Sequence, residues 1–417
     1  MITVRRYLVP AVIMFGLLFG IKFSFFPLSI SKLLLIYMLL WAGLSFSAKK
    51  DKIIPVSAIY TSLVFLIVLF YAGFITIFSG TNDFGFASKM IYIITDPILG
   101  GVVISLFFIK KLKFSISEIL YCTLLATFLQ SVLSILSYFF FGLNAFFSEL
   151  LPNVGNLTLD NTSRVRGFSN LGGSWLSVMV SLGVLAGLHL LSDEKFRGKT
   201  FGISLKLIVC LASTIVIGRT GLMLSLLFIL IYLIKWLSQG KLIRNFGMVV
   251  LTIIILAGGS LLIFPSIMDF VSNDTISWAF ELFMKSDSGS VSTASTDDLL
   301  SMLFLPHNAI DLIFGVGFYE HAIFGYARSD SGYVKTILSV GLLGFTLFYL
   351  TYIVLFIKII KNKIIYITKT ATFFIVLVSM MLLVEIKEPY LQTLGITNFL
   401  FFIFFYLTNP LCEKVNE

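Results

Sequence analysis

Apolar residues run through the chain in long blocks, broken by short clusters of polar and charged residues. The blocks predict spans at 8–22, 30–47, 56–78, 90–109, 115–141, 173–191, 203–217, 221–236, 246–264, 333–357, 371–384 and 394–408. An α-helix of roughly 17–25 apolar residues matches the hydrocarbon thickness of a bilayer. The blocks at 371–384 and 394–408 are short for a crossing. The expected fold is an all-α polytopic membrane protein of about twelve transmembrane helices, with 1–417 a single integral membrane domain. Two polar stretches are long, 142–172 and 265–332. Long loops are uncommon unless they bind or catalyse something. In the second, Ile276, Phe280, Phe283 and Met284 recur at helical spacing beside Trp278, which predicts a short interfacial helix. Ser286–Asp298 is low in complexity and is read as mobile. No internal repeat is evident, which weakens the inverted-repeat reading common among transporters.

Composition agrees with the pattern. Apolar residues make up 58% of the 417 and charged residues 12%, against about 45–50% and about 25% in soluble domains. A secreted disulfide scaffold, a disordered chain and a soluble enzyme of ordinary composition are excluded. Cys122 and Cys210 fall inside apolar blocks and Cys412 in the tail, so no disulfide or zinc spacing exists. Met1 to Arg6 and the apolar run after it look like a signal peptide. They have no small-residue cleavage site and lead into further blocks, so they are read as an uncleaved first span.

Charge assigns the sides. With the N-terminus inside, the inner segments hold 20 of the 30 basic residues and six acids, a balance of +14. The outer segments balance at −5, and the two make up the net +9. Each inner loop has a basic cluster, as orientation by positive charge requires. No Lys/Arg-dense patch interleaved with aromatics appears, so no nucleic-acid partner is expected. Membrane lipids are.

Against that outer depletion, Arg164, Arg166, Arg219 and Arg328 stand out, half of all the arginines. The planar guanidinium fork donates two parallel hydrogen bonds to phosphate and does not deprotonate. Arg164 and Arg166 sit in RVRGFSNLGG, where Gly167, Gly172 and Gly173 let backbone approach a ligand; Arg219 sits in the tight outer turn IGRTG. A single such arginine is more often a helix anchor or a lipid-headgroup contact. Four on the depleted face, three of them in glycine-flanked turns, favour an anionic ligand.

Other candidates are weighed in the same way. Asp330, in RSDSGYVKTILSVGLLG, is either a helix cap, together with Ser331, or a catalytic carboxylate. Glu385, Lys387 and Glu388 read as an ion-paired surface. His189 reads as interfacial, and His307 and His321 as loop histidines able to act as a base or to bind sugar hydroxyls. Asp96 precedes Pro97 at an expected kink, and an acid inside a span is a functional candidate by default. The Phe-rich runs Phe139–Phe141 and Phe401–Phe405 read as lipid-facing or packing residues. There is no phosphate-binding Walker loop, no HExxH or Cys/His ligand spacing and no Asp-x-Asp pair. No cofactor and no metal are expected, so phosphate chemistry would rest on arginine.

The order of these features resembles the O-antigen polymerases (Wzy type) and their relatives, the O-antigen ligases. The resemblance lies in Arg166-Gly167-Phe168 with Asn170, then Gly218-Arg219-Thr220-Gly221, then Phe314-Gly315-Val316-Gly317. It continues with Asp330-Ser331-Gly332-Tyr333 and with Gly341 and Gly344 down the next helix. It covers roughly 150–345. It implies a helical bundle of the GT-C kind in the bacterial inner membrane, with both termini cytoplasmic and 142–172 and 265–332 as periplasmic loops. It also implies metal-independent, inverting transfer of undecaprenyl-diphosphate-linked oligosaccharide units on the periplasmic face. By the resemblance Arg166 and Arg219 hold the lipid-linked diphosphate; Arg164 and Arg328 join them as candidates on the charge pattern, and Asn170, Tyr333 and His307 are candidate substrate contacts. Asp330 is the first choice for the base that accepts the acceptor's proton, with His321, Glu320 and then His307 behind it. Ligases typically carry a His about eleven residues before a Gly at the start of this helix. Counting back from Gly341 that position is Asp330, which favours polymerase over ligase. The implied partners are the lipid-linked donor and acceptor, a chain-length regulator and a flippase. The rival readings are an O-antigen ligase and a polysaccharide flippase or other transporter. A transporter would place charge near the midplane, whereas this chain concentrates it in outer loops.

Overall fold

The computed structural model describes residues 2–46, 55–151, 165–263, 299–319, 329–393 and 395–412. Among them the chain is helical, without a strand; its one antiparallel bridge is Lys22 with Ser29. Bilayer-compatible backbone requires this, since a helix satisfies its own peptide groups. Each of the twelve apolar blocks falls on a helix. Seven stretches are long and apolar enough to cross a membrane: Val56–Phe78, Gly85–Leu112, Ile116–Phe139, Gly173–Ser192, Glu194–Ile217, Arg219–Ser238 and Gly332–Ile360. Five others, Arg6–Phe19, Ile30–Leu44, Leu242–Ile254, Ala371–Val384 and Ile396–Thr408, are apolar but shorter. The protein is an all-α polytopic membrane protein.

The chain forms two compact units, Met1–Leu33 with Ile116–Val291, and Leu34–Ser115 with Ser292–Glu417. The first contains α1 (Ile2–Phe19), α6 (Ile116–Phe139), α7 (Phe141–Leu150), α8 (Gly173–Ser192), α9 (Thr200–Ile217), α10 (Arg219–Ser238) and α11 (Leu242–Ile263). Helix α8 is the axis of this unit, with every residue from Leu176 to Leu191 buried. It packs on α6, α9 and α10. Small residues permit the approach: a β-carbon at Gly183 would fall on the Thr127 hydroxyl, and one at Gly187 would lie 3.1 Å from Leu207. His189, expected at an interface, is buried instead, with Nδ1 3.4 Å from the Tyr232 hydroxyl. At the opposite end from Gly173, Arg6 and Lys195 converge on the buried Glu118 at 2.9 and 3.4 Å. Lys199 lies over the rings of Tyr7 and Tyr121. These residues come from three separate segments that the charge pattern assigns to one side.

The second unit contains α2 (Ile30–Phe46, all but its first turn), α3 (Val56–Phe78), α4 (Gly85–Ile93) and α5 (Gly100–Leu106). It also contains α12 (Ala309–Phe314), α13 (Gly332–Ile360), α14 (Lys363–Ile367), α15 (Ala371–Val384) and α16 (Ile396–Thr408). A π-helical turn, Ile94–Leu99, joins α4 to α5, and a second, Phe107–Leu112, follows α5. The first holds Asp96 and Pro97, where the ring removes an amide and the helix widens rather than ending. Helix α16 is buried from Ile396 to Leu407, so Phe401–Phe405 are packing residues. It lies so close to α5 that a β-carbon at Gly101 would meet the Phe401 backbone at 2.9 Å.

Helix α13 is broken at Gly341, which adopts φ 59°, ψ −172°. The loop after α12 fills the break. Val316 and Gly317 amides donate to the Leu338 carbonyl at 2.8 and 3.1 Å. β-carbons at Gly315 and Gly341 would each fall on the other's backbone nitrogen. The loop is held further by the Tyr71 hydroxyl donating to the Phe314 carbonyl at 3.0 Å and the Tyr319 amide donating to Asp83 Oδ2 at 2.7 Å.

The two long stretches carry helix of their own. The stretch 142–172 opens as helix, since α7 runs to Leu150. In 265–332, α12 supplies one short helix. The interfacial helix around Trp278 and the segment Ser286–Asp298 lie outside the described residues.

Candidate functional site

One end of the first unit holds Arg166 and Arg219. The segment 165–172 leads into α8 and is pinned residue by residue. The Arg166 carbonyl accepts from Gln130 Nε2 of α6 at 2.8 Å. Gly167 follows at φ +57°, in the left-handed region, where a β-carbon would lie 2.7 Å from Gln130 Nε2. The Phe168 ring sits 5.2 Å from that of Phe147. Ser169 Oγ donates to the Phe19 carbonyl and Asn170 Oδ1 accepts from the Lys22 amide at 2.6 Å. Glycine and phenylalanine here serve to seat the loop, and the seat sets where Arg166 projects.

The turn before α10 docks on the same end of α8. A β-carbon at Gly218 would lie 3.2 Å from the Gly173 carbonyl, and one at Gly221 would fall on the Ser177 carbonyl. The Gly221 amide donates to Ser177 Oγ at 3.1 Å. Arg219 is therefore the first residue of a helix whose N-terminus abuts that of α8. Both N-caps, Gly172 and Gly218, are glycines with no side chain to bond the first-turn amides. Two helix N-termini side by side put partial positive charge and amide donors at one place.

Arg166 adds a full charge. It is half-buried, and burial alone holds its pKa below the ordinary arginine value. Its guanidinium has no carboxylate partner among the described residues. Nearby, the Gln130 Oε1 and Asn170 Nδ2 atoms are buried without hydrogen-bond partners. The arrangement brings the Arg166 guanidinium, the N-termini of α8 and Arg219-led α10, and one orphaned acceptor and donor to the same end. Groups of these kinds can bind an anion that also carries hydroxyl or amide groups.

The second unit holds Asp330, Tyr333 and His307. Asp330 is half-exposed, with its side chain at 51%, and Lys335 Nζ lies 4.0 Å away while only 14% exposed. Lys335 also lies over the Tyr319 ring. Ser331 is the N-cap of α13 and its side chain makes no capping bond. The first amide, that of Gly332, donates instead to the Glu385 carbonyl. Tyr333 donates its hydroxyl to the Leu382 carbonyl at 2.7 Å, and His307 is exposed. Arg164, Arg328, Glu320 and His321 lie outside the described residues.

Glu385 corrects an expectation. Read from sequence as part of an ion-paired surface, it is fully buried and its carboxylate has no cationic partner among the described residues. It accepts from the Tyr349 hydroxyl at 2.8 Å and from the Leu391 amide at 2.9 Å. Burial pushes its pKa up to about 8, against the hydrogen bonds from Leu391, Tyr349 and Tyr390. A carboxyl whose pKa is raised by folding contributes stability that is full below about pH 4.5 and lost as pH rises through about 8. Thermal unfolding in detergent should therefore show a lower midpoint at pH 9 than at pH 6, and Glu385→Gln should flatten that slope. An unchanged slope in the variant would remove Glu385 as its source.

Gln130, Ser177, Lys335 and Glu385 carry this geometry and none was singled out for it from sequence. Gln130 and Ser177 lie within apolar helices, where one polar residue gives no sign of its partner. Fold and charge together define a polytopic helical membrane protein with a cationic end in its first unit. No protein-family model matches the chain, and neither a curated protein nor a solved structure is similar to it.

Proposed function

We propose that this chain is a glycosyltransferase of the bacterial inner membrane that polymerises undecaprenyl-diphosphate-linked oligosaccharide units into O-antigen or a related surface polysaccharide. The reading takes about twelve crossings, with both termini cytoplasmic and the reaction on the outer face. The observation that carries it is Arg166, half-buried without a carboxylate partner among the described residues, at the end of the unit where α8 and Arg219-led α10 begin. A diphosphate fits two guanidinium forks and two helix N-termini, and the orphaned Gln130 and Asn170 groups suit the hydroxyl and acetamido groups of a sugar.

In this reading the first sugar's anomeric carbon is attacked by an acceptor hydroxyl, and the bond to the diphosphate oxygen breaks. Arg166 and Arg219 stabilise the negative charge that develops on the leaving diphosphate, the term that preorganised electrostatics lowers most. Asp330, the first choice from the sequence, takes the hydroxyl proton. A single displacement inverts the anomeric centre.

Asp330→Asn tests the base. Turnover should fall by about 10²–10⁴-fold, the range for general-base removal, with affinity for the lipid donor held. Normal turnover would eliminate Asp330 from the role. The function itself is tested by giving the purified protein a polyprenyl-diphosphate oligosaccharide in chelator and resolving the products. A ladder supports polymerisation. Transfer only to a lipid A core identifies a ligase, and movement across the vesicle without transfer identifies a flippase.

A further inference from the structure

The second unit contains a buried polar cluster that the proposed chemistry does not use. At its centre is Glu385, one residue past the end of α15. Its main chain and its carboxylate tie together three places. First, its carbonyl accepts the Gly332 amide at 2.9 Å, the opening bond of α13, and its carboxylate lies against Gly332 so closely that a β-carbon there would fall on Oε1. Second, its Oε2 accepts from the Leu391 amide at 2.9 Å in the turn before α16. Third, its Oε1 accepts from the Tyr349 hydroxyl at 2.8 Å, on α13 beyond the break at Gly341. Around these, Gln392 Nε2 donates to Thr336 Oγ1 at 2.9 Å, and the Tyr333 hydroxyl donates to the Leu382 carbonyl.

An apolar residue would fill this space without desolvating a carboxylate, and a buried acid without a cation is costly unless its hydrogen bonds accomplish something packing does not. What they accomplish is directional. Every tie from α15 and the 390–392 turn to the start of α13 lands on Gly332, Tyr333 or Thr336, within six residues of Asp330. The N-cap Ser331 makes no side-chain capping bond, and the Gly332 amide beside it is held from α15 instead.

We propose that Glu385 is a positioning residue for Asp330, holding through Gly332 and Tyr349 the turn from which the Asp330 carboxylate projects. The chemical consequence rests on the reading that Asp330 is the base; the positional one does not. Burial raises the Glu385 pKa toward neutrality, so a neutral hydrogen-bonding group can fill the place. Glutamine is then the conservative replacement and leucine the disruptive one.

Two measurements on the full chain in proteoliposomes test this. In the first, Asp330→Cys provides a half-exposed thiol, the native Cys122, Cys210 and Cys412 being buried. Its rate of labelling by a membrane-impermeant maleimide is compared with Glu385, Glu385→Gln and Glu385→Leu. Glutamine should stay within about twofold and leucine should shift the rate by about tenfold, as displacement of a projecting group does. In the second, with Asp330 intact and a polyprenyl-diphosphate oligosaccharide as donor, leucine should lower kcat by about 30-fold with donor KM nearly unchanged, and glutamine should restore it. Equal labelling in all three proteins overturns the proposal, as does a parallel loss in kcat and KM that glutamine fails to rescue. Shifted labelling with fully active Asp330→Asn would leave the positioning in place and overturn only the role of Asp330. If the leucine protein does not accumulate, Tyr349→Phe removes one bond to the carboxylate at nearly constant volume. It should shift the labelling rate about threefold, and an unshifted rate overturns the proposal.

Discussion

Alanine at Arg166 or at Arg219 should abolish long-chain glycan while leaving the protein in the membrane at its normal level. Each guanidinium is proposed to meet charge that grows as the diphosphate leaves. Removing one preorganised donor to such charge costs about 2.7–4 kcal/mol, or about 10²–10³ in rate. The two losses should not add, because a diphosphate that has lost one clamp is already misplaced for the other. Lysine tests the fork against the charge: it keeps +1 but cannot donate two parallel bonds, so Arg166→Lys should recover only part of the activity. Arg197→Ala is the control, an exposed arginine in the short turn before α9 and on the side assigned to the cytoplasm. Polymer length read from lipid-extracted cells, with protein level from the same membranes, gives the comparison. Unchanged long-chain glycan in Arg166→Ala and Arg219→Ala would remove the anion end from the mechanism.

The elements were largely legible in the sequence, and the reason is the solvent. In a bilayer a crossing is an apolar helical stretch, so block boundaries become helix boundaries within a few residues. The block 56–78 is helix Val56–Phe78 to the residue. The block at 90–109 is longer as structure, Gly85–Leu112, because Pro97 is carried by a π turn rather than ending the helix. The arginine end was legible in part. Glycine after Arg166 and around Arg219 marked close backbone approach, and Gln130 and Ser177 prove to be what the backbone approaches. Those partners lie 36 and 44 positions away in sequence, with nothing local to point to them. Glu385 was misread for the same reason. Beside Lys387 and Glu388 it has the local pattern of a surface. Its burial comes from Tyr349 and Gly332, on a helix more than thirty residues earlier.

The glycines of FGVG and of α13 lead to the second large effect. Gly341→Ala should prevent the protein from accumulating in the membrane, whereas Gly73→Ala, in α3, should be neutral or slightly stabilising. Both glycines lie inside apolar helices, so sequence position alone gives no reason for them to differ. Gly341 holds φ 59°, ψ −172°, a conformation that essentially only glycine adopts, at a cost of about 1–3 kcal/mol for any other residue. A β-carbon there also falls on the Ile313 carbonyl and the Gly315 nitrogen, backbone atoms with no rotamer by which to yield. Moving them would pull Val316 and Gly317 from the Leu338 carbonyl and leave polar backbone unpaired at a helix break. Each such group adds about 1–3 kcal/mol. Against a total stability of about 5–15 kcal/mol the sum is disabling. Gly73 has open space where its β-carbon would go, and alanine there gains about 0.5–1 kcal/mol from reduced backbone freedom. Membrane-fraction abundance and thermal midpoint in detergent distinguish the two variants. A stable, abundant Gly341→Ala protein would mean that the break in α13 and the loop seated in it are not coupled as described.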